Sequence, residues 1–121
     1  MITELISKVF TTSRQAHLAH WKTSSYAKHM ALGDFYDGVL EPLDDLVEDY
    51  QAAFGKVDEV CVKEFCTPSS DDDILSTLKE DIKWINKSRD KICKNITALE
   101  NILDGISDIY LKTIYKLENL S

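Results

Sequence analysis

Residues 71–120 read DDDILSTLKEDIKWINKSRDKICKNITALENILDGISDIYLKTIYKLENL. Leu75, Leu78, Ile82, Ile85, Ile92, Ile96, Leu99, Leu103, Ile106, Tyr110 and Leu117 succeed one another mostly at three- or four-residue steps. That spacing gathers them on one side of a helix, whereas a strand would need alternation. A single helix of this length would be about 70 Å long at ~1.5 Å per residue, more than the rest of the chain could cover. Two helices are therefore expected. A turn at Asn86-Lys87-Ser88 fits, because Arg89 interrupts the stripe and Ser88 can cap the next helix. Asp104-Gly105 is the alternative turn. Ahead of the stripe, Ser70 and Asp73 resemble a capping box, and Asp71 to Asp73 suit the positive end of a helix.

The first half of the chain supplies two more helices. One runs from about Ile2 to Trp21 on the stripe Ile2, Leu5, Ile6, Val9, Phe10 and Ala16; at the same spacing Ser13 and His20 point inward, with His17 and Trp21 on the flank. After the polar Lys22 to Ser25 a second helix begins near Tyr26 to His29 and ends at Gly55. Its core stripe comprises Leu32, Phe35, Tyr36, Val39, Leu43, Leu46, Val47, Tyr50 and Phe54. Pro42 lies inside it and predicts a bend, eased by Gly38, whose carbonyl the ring crowds. Lys56 to Ser70 then forms a crossover with some apolar character at Val57, Val60, Val62 and Phe65.

Composition narrows the class further. Four Gly and two Pro in 121 residues suit long helices and disfavour a β-sandwich. A net charge of −7 without a basic tail argues against nucleic acid as a partner. No apolar run approaches the ~20 residues of a membrane span, and the N-terminus lacks the basic start and apolar core of a signal peptide. Cys61, Cys66 and Cys93, an odd number without a short-spaced pair, read as reduced thiols of a cytoplasmic protein.

Few residues suggest chemistry. All three histidines, His17, His20 and His29, fall in the first quarter of the chain. An inward His20 reads either as a core histidine bonded to a carbonyl or carboxylate, or as a metal ligand. Beside the core stripe of the second helix lie His29, Gly33, Asp37, Asp44 and Glu48, which read either as a solvated acidic face or as an oxygen-rich half-site for a metal. The paired Glu-x-x-His signature of an intramolecular di-iron bundle is absent, since the last two helices hold no histidine. No Gly-rich phosphate loop and no recognisable nucleophile–base spacing occurs.

His20-Trp21, Ala31-Leu32-Gly33-Asp34-Phe35-Tyr36-Asp37 and Leu43 to Glu48 resemble the Dps-like mini-ferritins, whose first helix ends in His-Trp. Ser107 to Thr113 is similar to their last helix. The run His20-Trp21-x-Thr23-x-Ser25-Tyr26-Ala27-x-His29-x-Ala31-Leu32 and the segment Lys112-Thr113-Ile114-Tyr115 resemble a group of small proteins of tailed phages more closely still. The resemblance implies a ferritin-like bundle and, in mini-ferritins, iron held between two chains. Carried over by position, His20 and Asp37 match ligands from one chain and Glu48 matches one from its partner. Gly33 stands where a second His belongs, and Ala52 where a partner Glu belongs. His29, Asp44 and His17 are the substitutes within reach.

The expected molecule is thus one all-α domain over residues 1–121, a ferritin-like up-down four-helix bundle with its longer crossover between the second and third helices. A homodimer through the first two helices is expected, because their outer stripe includes Met30 and Leu40. Two functions are open: a non-enzymatic, phage-type bundle that binds a host or viral protein in the host cytoplasm, or a relative of mini-ferritins that binds Fe or another divalent metal, or oxidises iron, at an altered intersubunit site.

Overall fold

The computed structural model describes all 121 residues. They form five helices: α1 (Ile2–Lys22), α2 (Tyr26–Gly38), α3 (Leu40–Phe54), α4 (Asp71–Cys93) and α5 (Thr97–Asn119). Because α2 and α3 are two parts of one broken rod, the architecture is an all-α bundle of four rods. None of the helices is long and apolar enough to cross a membrane.

The direction of each rod is set by the contacts at its ends. Thr23, just after α1, donates a 3.0 Å hydrogen bond to Asp71 at the start of α4. Lys8 lies over the ring of Trp84 further along, so α1 and α4 are antiparallel. Lys94, just after α4, reaches Tyr50 near the end of α3. The α2–α3 rod and α4 therefore run the same way, and residues 55–70 cross back along the bundle. At ~3.3 Å per residue this segment is long enough to return along a helix of about 35 Å. Lys79 meets Glu118, and Lys116 meets Asp34, which sets α5 antiparallel to both of its neighbours. Along the chain the rods read up, down, down, up, and every adjacent pair in space is antiparallel.

The core is one cluster of 24 buried apolar residues drawn from every helix. Leu5, Val9, Leu32, Phe35, Leu46, Leu78, Ile85, Leu99, Leu103 and Tyr110 are fully enclosed. In α1 the buried line passes through Thr12, Ser13, Ala16 and Ala19. Those small residues let α2 and α4 approach closely, while Phe10 and His20 sit at the edge.

Three local features differ from the sequence expectation. The turn between the last two helices is at Lys94-Asn95, not at Asn86–Ser88 or Asp104-Gly105. Lys94 adopts the left-handed conformation (φ 51°) and Asn95 comes next at φ 66°. The stripe never breaks at Arg89, because it steps by three to Ser88, which is buried, and then to Ile92. Arg89 instead faces α5 and grips Asp104 through two hydrogen bonds of 2.7 and 2.9 Å. The second expected helix is divided at Val39, whose backbone stays helical and still bonds to Phe35 and Leu43, so the defect expected from Pro42 and Gly38 interrupts the helix there. The proline then occupies the third position of α3, where a backbone N–H would have no intrahelical partner.

The expected capping at Ser70 is present. Its hydroxyl accepts from the Asp73 N–H at 3.2 Å, and the Asp73 carboxylate accepts from the Ser69 N–H. Ser25 caps α2 likewise through the Lys28 N–H.

Candidate functional site

The three histidines meet at the corner between α1 and α2. His20 Nδ1 lies 2.6 Å from the His29 carbonyl oxygen, and His29 Nδ1 lies 2.7 Å from the His20 carbonyl oxygen. A carbonyl only accepts, so both Nδ1 atoms carry hydrogen and donate. The two rings stack at 3.6 Å between centroids, 18° from parallel. His17 stacks on Tyr36 at 3.9 Å and also touches Trp21. This paired arrangement bolts the end of α1 to the start of α2. Gly33 is part of it: a Cβ there would stand 3.1 Å from His20 Cε1. The absence of a side chain at Gly33 is what lets the His20 ring lie flat against α2.

Asp37, Asp44 and Glu48 are all exposed. No three of the His, Cys, Asp and Glu side chains of one chain come together in a way that could hold a metal ion. His20 and His29 each retain Nε2 without a protein partner.

Asp44 and Glu48 instead edge a groove of about 260 Å³ between α1, α3 and the crossover. Its walls are Ile6, Phe10, Leu43, Val47, Val57 and Val60. Glu41, Asp45 and Asp49 extend the exposed acidic face of α3 beside it. The sequence marked both components, an apolar stripe and a neighbouring acidic one. Their meeting depends on how the crossover lies back across α1.

A second polar centre went unrecognised in the sequence. Asp81 of α4 is 6% exposed. Its Oδ2 accepts from the Thr12 hydroxyl at 2.5 Å and from the Tyr110 hydroxyl at 2.8 Å, so α1, α4 and α5 are joined by one oxygen atom. Burial pushes the Asp81 carboxyl above the usual carboxylate range, against the pull of the two hydroxyl donors and of the Lys8 charge. Burial and the neighbouring carboxylate drive the Tyr110 phenol well above its ordinary value. The available signal was an acid next to Ile82 in the apolar line of α4. Three helices must be docked before its two donors can be assigned.

Cys61 and Cys66 are exposed in the crossover, and Cys93 is buried, with its thiol pushed up to about 11 by loss of solvation.

Fold and surfaces together define an all-helical four-rod bundle with a carboxylate enclosed among three helices and an apolar groove on an acidic flank. The chain belongs to a family described as a family of unknown function (DUF5856), whose model matches residues 20–117. No curated protein and no solved structure matches it.

Proposed function

We propose that this chain is a ferritin-like bundle that works without catalysis, as a phage-type protein that holds a partner protein in the groove between α1, α3 and the crossover. The ferritin-like reading is supported by rods that run up, down, down, up around one long crossover, as in bundles with a single crossing connection. The protein-binding reading is carried by one observation, an open apolar groove edged by Asp44 and Glu48. Apolar surface open to water is costly, and a rim of one charge selects the sign of what covers it. The fitting occupant is an amphipathic segment that puts aliphatic side chains into the groove and Lys or Arg over the rim. A second copy of the same face would bring like charges together.

A labelled amphipathic Leu/Lys peptide tests this reading, with a peptide of equal charge and scrambled pattern as control. The wild type should bind the amphipathic peptide at least tenfold more tightly, and Val47→Asp or the pair Asp44→Lys and Glu48→Lys should remove the preference. Equal binding of both peptides would contradict the proposal.

The same proposal includes a homodimer through α1 and α2, supported by exposed Trp21, Tyr26 and Met30 on those helices. Light scattering should show a dimer that Met30→Glu with Trp21→Glu converts to monomer.

The metal-binding reading has one observation in its favour. A histidine whose Nδ1–H is held by a backbone carbonyl keeps Nε2 available, which is how protein ligands to metals are oriented. The ligand set carried over from mini-ferritins is shared between two chains, and no single chain gathers three such donors, while Asp37 and Glu48 are exposed to a second chain. Iron or another divalent metal would therefore require donors from a second chain. Metal analysis of the purified protein with His20→Ala as control decides: stoichiometric metal lost in the variant favours this reading, and no metal in a folded wild type ends it.

A further inference from the structure

A small pocket of about 140 Å³ opens between α1, α4 and the crossover, with no apolar residue in its lining. Such a lining is unusual against the core of a bundle, where apolar contacts hold the helices together. Asp81 lies at its inner end. Both hydrogen bonds to this carboxylate fall on Oδ2, which leaves Oδ1 without a protein partner. Thr11 and Thr77 also line the pocket. Lys63 stands exposed on the crossover side, and half-buried Lys8, whose ammonium lies over the Trp84 ring, also lines the pocket.

The pocket is thus polarised along its depth. One carboxylate with a free oxygen sits inside, and the Lys63 side chain stands on the exposed side. A simple cation would meet the two lysines, and a simple anion would meet Asp81. From this arrangement we infer that the pocket binds a small zwitterion, an amino acid or similar compound, with its ammonium donating to Asp81 and its carboxylate facing Lys8 and Lys63. The Thr77 hydroxyl, which donates to the Asp73 carbonyl, is left to accept from the ammonium end. A ligand so held bridges α1, α4 and the crossover, and it therefore steadies the one long segment without regular structure.

Glycine, ethanolamine and glycolate separate this reading from simpler ones, because the latter two each keep one charged end. Amide chemical shifts of the full chain are monitored during each titration. Glycine should give saturable shifts around Thr11, Thr12, Thr77 and Asp81, and the two single-charge compounds should bind at least tenfold more weakly. Lys63→Glu, on the exposed rim, should weaken glycine at least tenfold with the melting temperature unchanged; Asp81→Asn should abolish binding. Shifts that stay linear with concentration, ethanolamine or glycolate binding as tightly as glycine, or a Lys63→Glu variant that binds like the wild type would each overturn the inference.

Discussion

At Asp81 the enclosed carboxylate gives folding a dependence on pH whose sign is fixed. The folded value is raised above the unfolded one, so the folded chain holds its proton to higher pH. Falling pH therefore favours folding at this site, from the raised folded value down to the ordinary carboxylate range near ~4. Denaturant titrations should show wild type gaining stability relative to Asp81→Asn across that window as the solution is acidified. Asp81→Leu should cost roughly 2–3 kcal/mol at neutral pH, since it strands two enclosed hydroxyls. Gly33 and Gly105 offer a paired test. Gly105→Ala lies in α5 with nothing within 4 Å of the new Cβ, and it should stabilise by about 0.5–1 kcal/mol. Gly33→Ala should instead destabilise, because the His20 ring it would push is held by its short hydrogen bond to the His29 carbonyl and by stacking on the His29 ring. Thiol titration offers a third check at this scale: in the native protein Cys61 and Cys66 should react promptly with an aromatic disulfide, and Cys93 only on unfolding.

Helices were the most legible level, and their boundaries show why some signals are read and others missed. Ser25, Ser70 and Gly55 announce their ends through side-chain or backbone chemistry that a few residues suffice to specify. Lys94-Asn95 announces little. Asparagine tolerates a positive φ, but lysine does so only with strain, and the residues around them keep a helical apolar rhythm on both sides. Lys94 gains compensating contacts, its ammonium lying 4.3 Å from the Phe54 ring centre and 5.3 Å from that of Tyr50. Those contacts are fixed by how α3 ends, far away in sequence. Asn95→Gly should stabilise the protein by up to ~1 kcal/mol, and Asn95→Val should destabilise it by at least as much, in thermal melts. Arg89 carries a similar lesson. As a letter it interrupts a stripe, but the helix simply shifts that stripe to Ser88 and sends the guanidinium to Asp104 on α5.

For the whole molecule, the direction of each rod and the path of the crossover decide what the surface can do. Periodicity foretold the bundle and the long connection, because burying four amphipathic faces leaves few other solutions. His20 was legible as an inward-leaning group, but its pairing with His29 was not, since each ring uses the backbone of the other. The carboxylate stripe was legible as a face. Its role as the rim of an apolar groove depends on Val57 and Val60 returning along α1, which no single helix encodes. The central claim is that this groove is the working surface. Chemical-shift mapping of the amphipathic Leu/Lys peptide tests it most directly: the account predicts saturable perturbations centred on Phe10, Val47, Glu48 and Val60, and perturbations centred on the outer face of α5, or none that saturate, would contradict it.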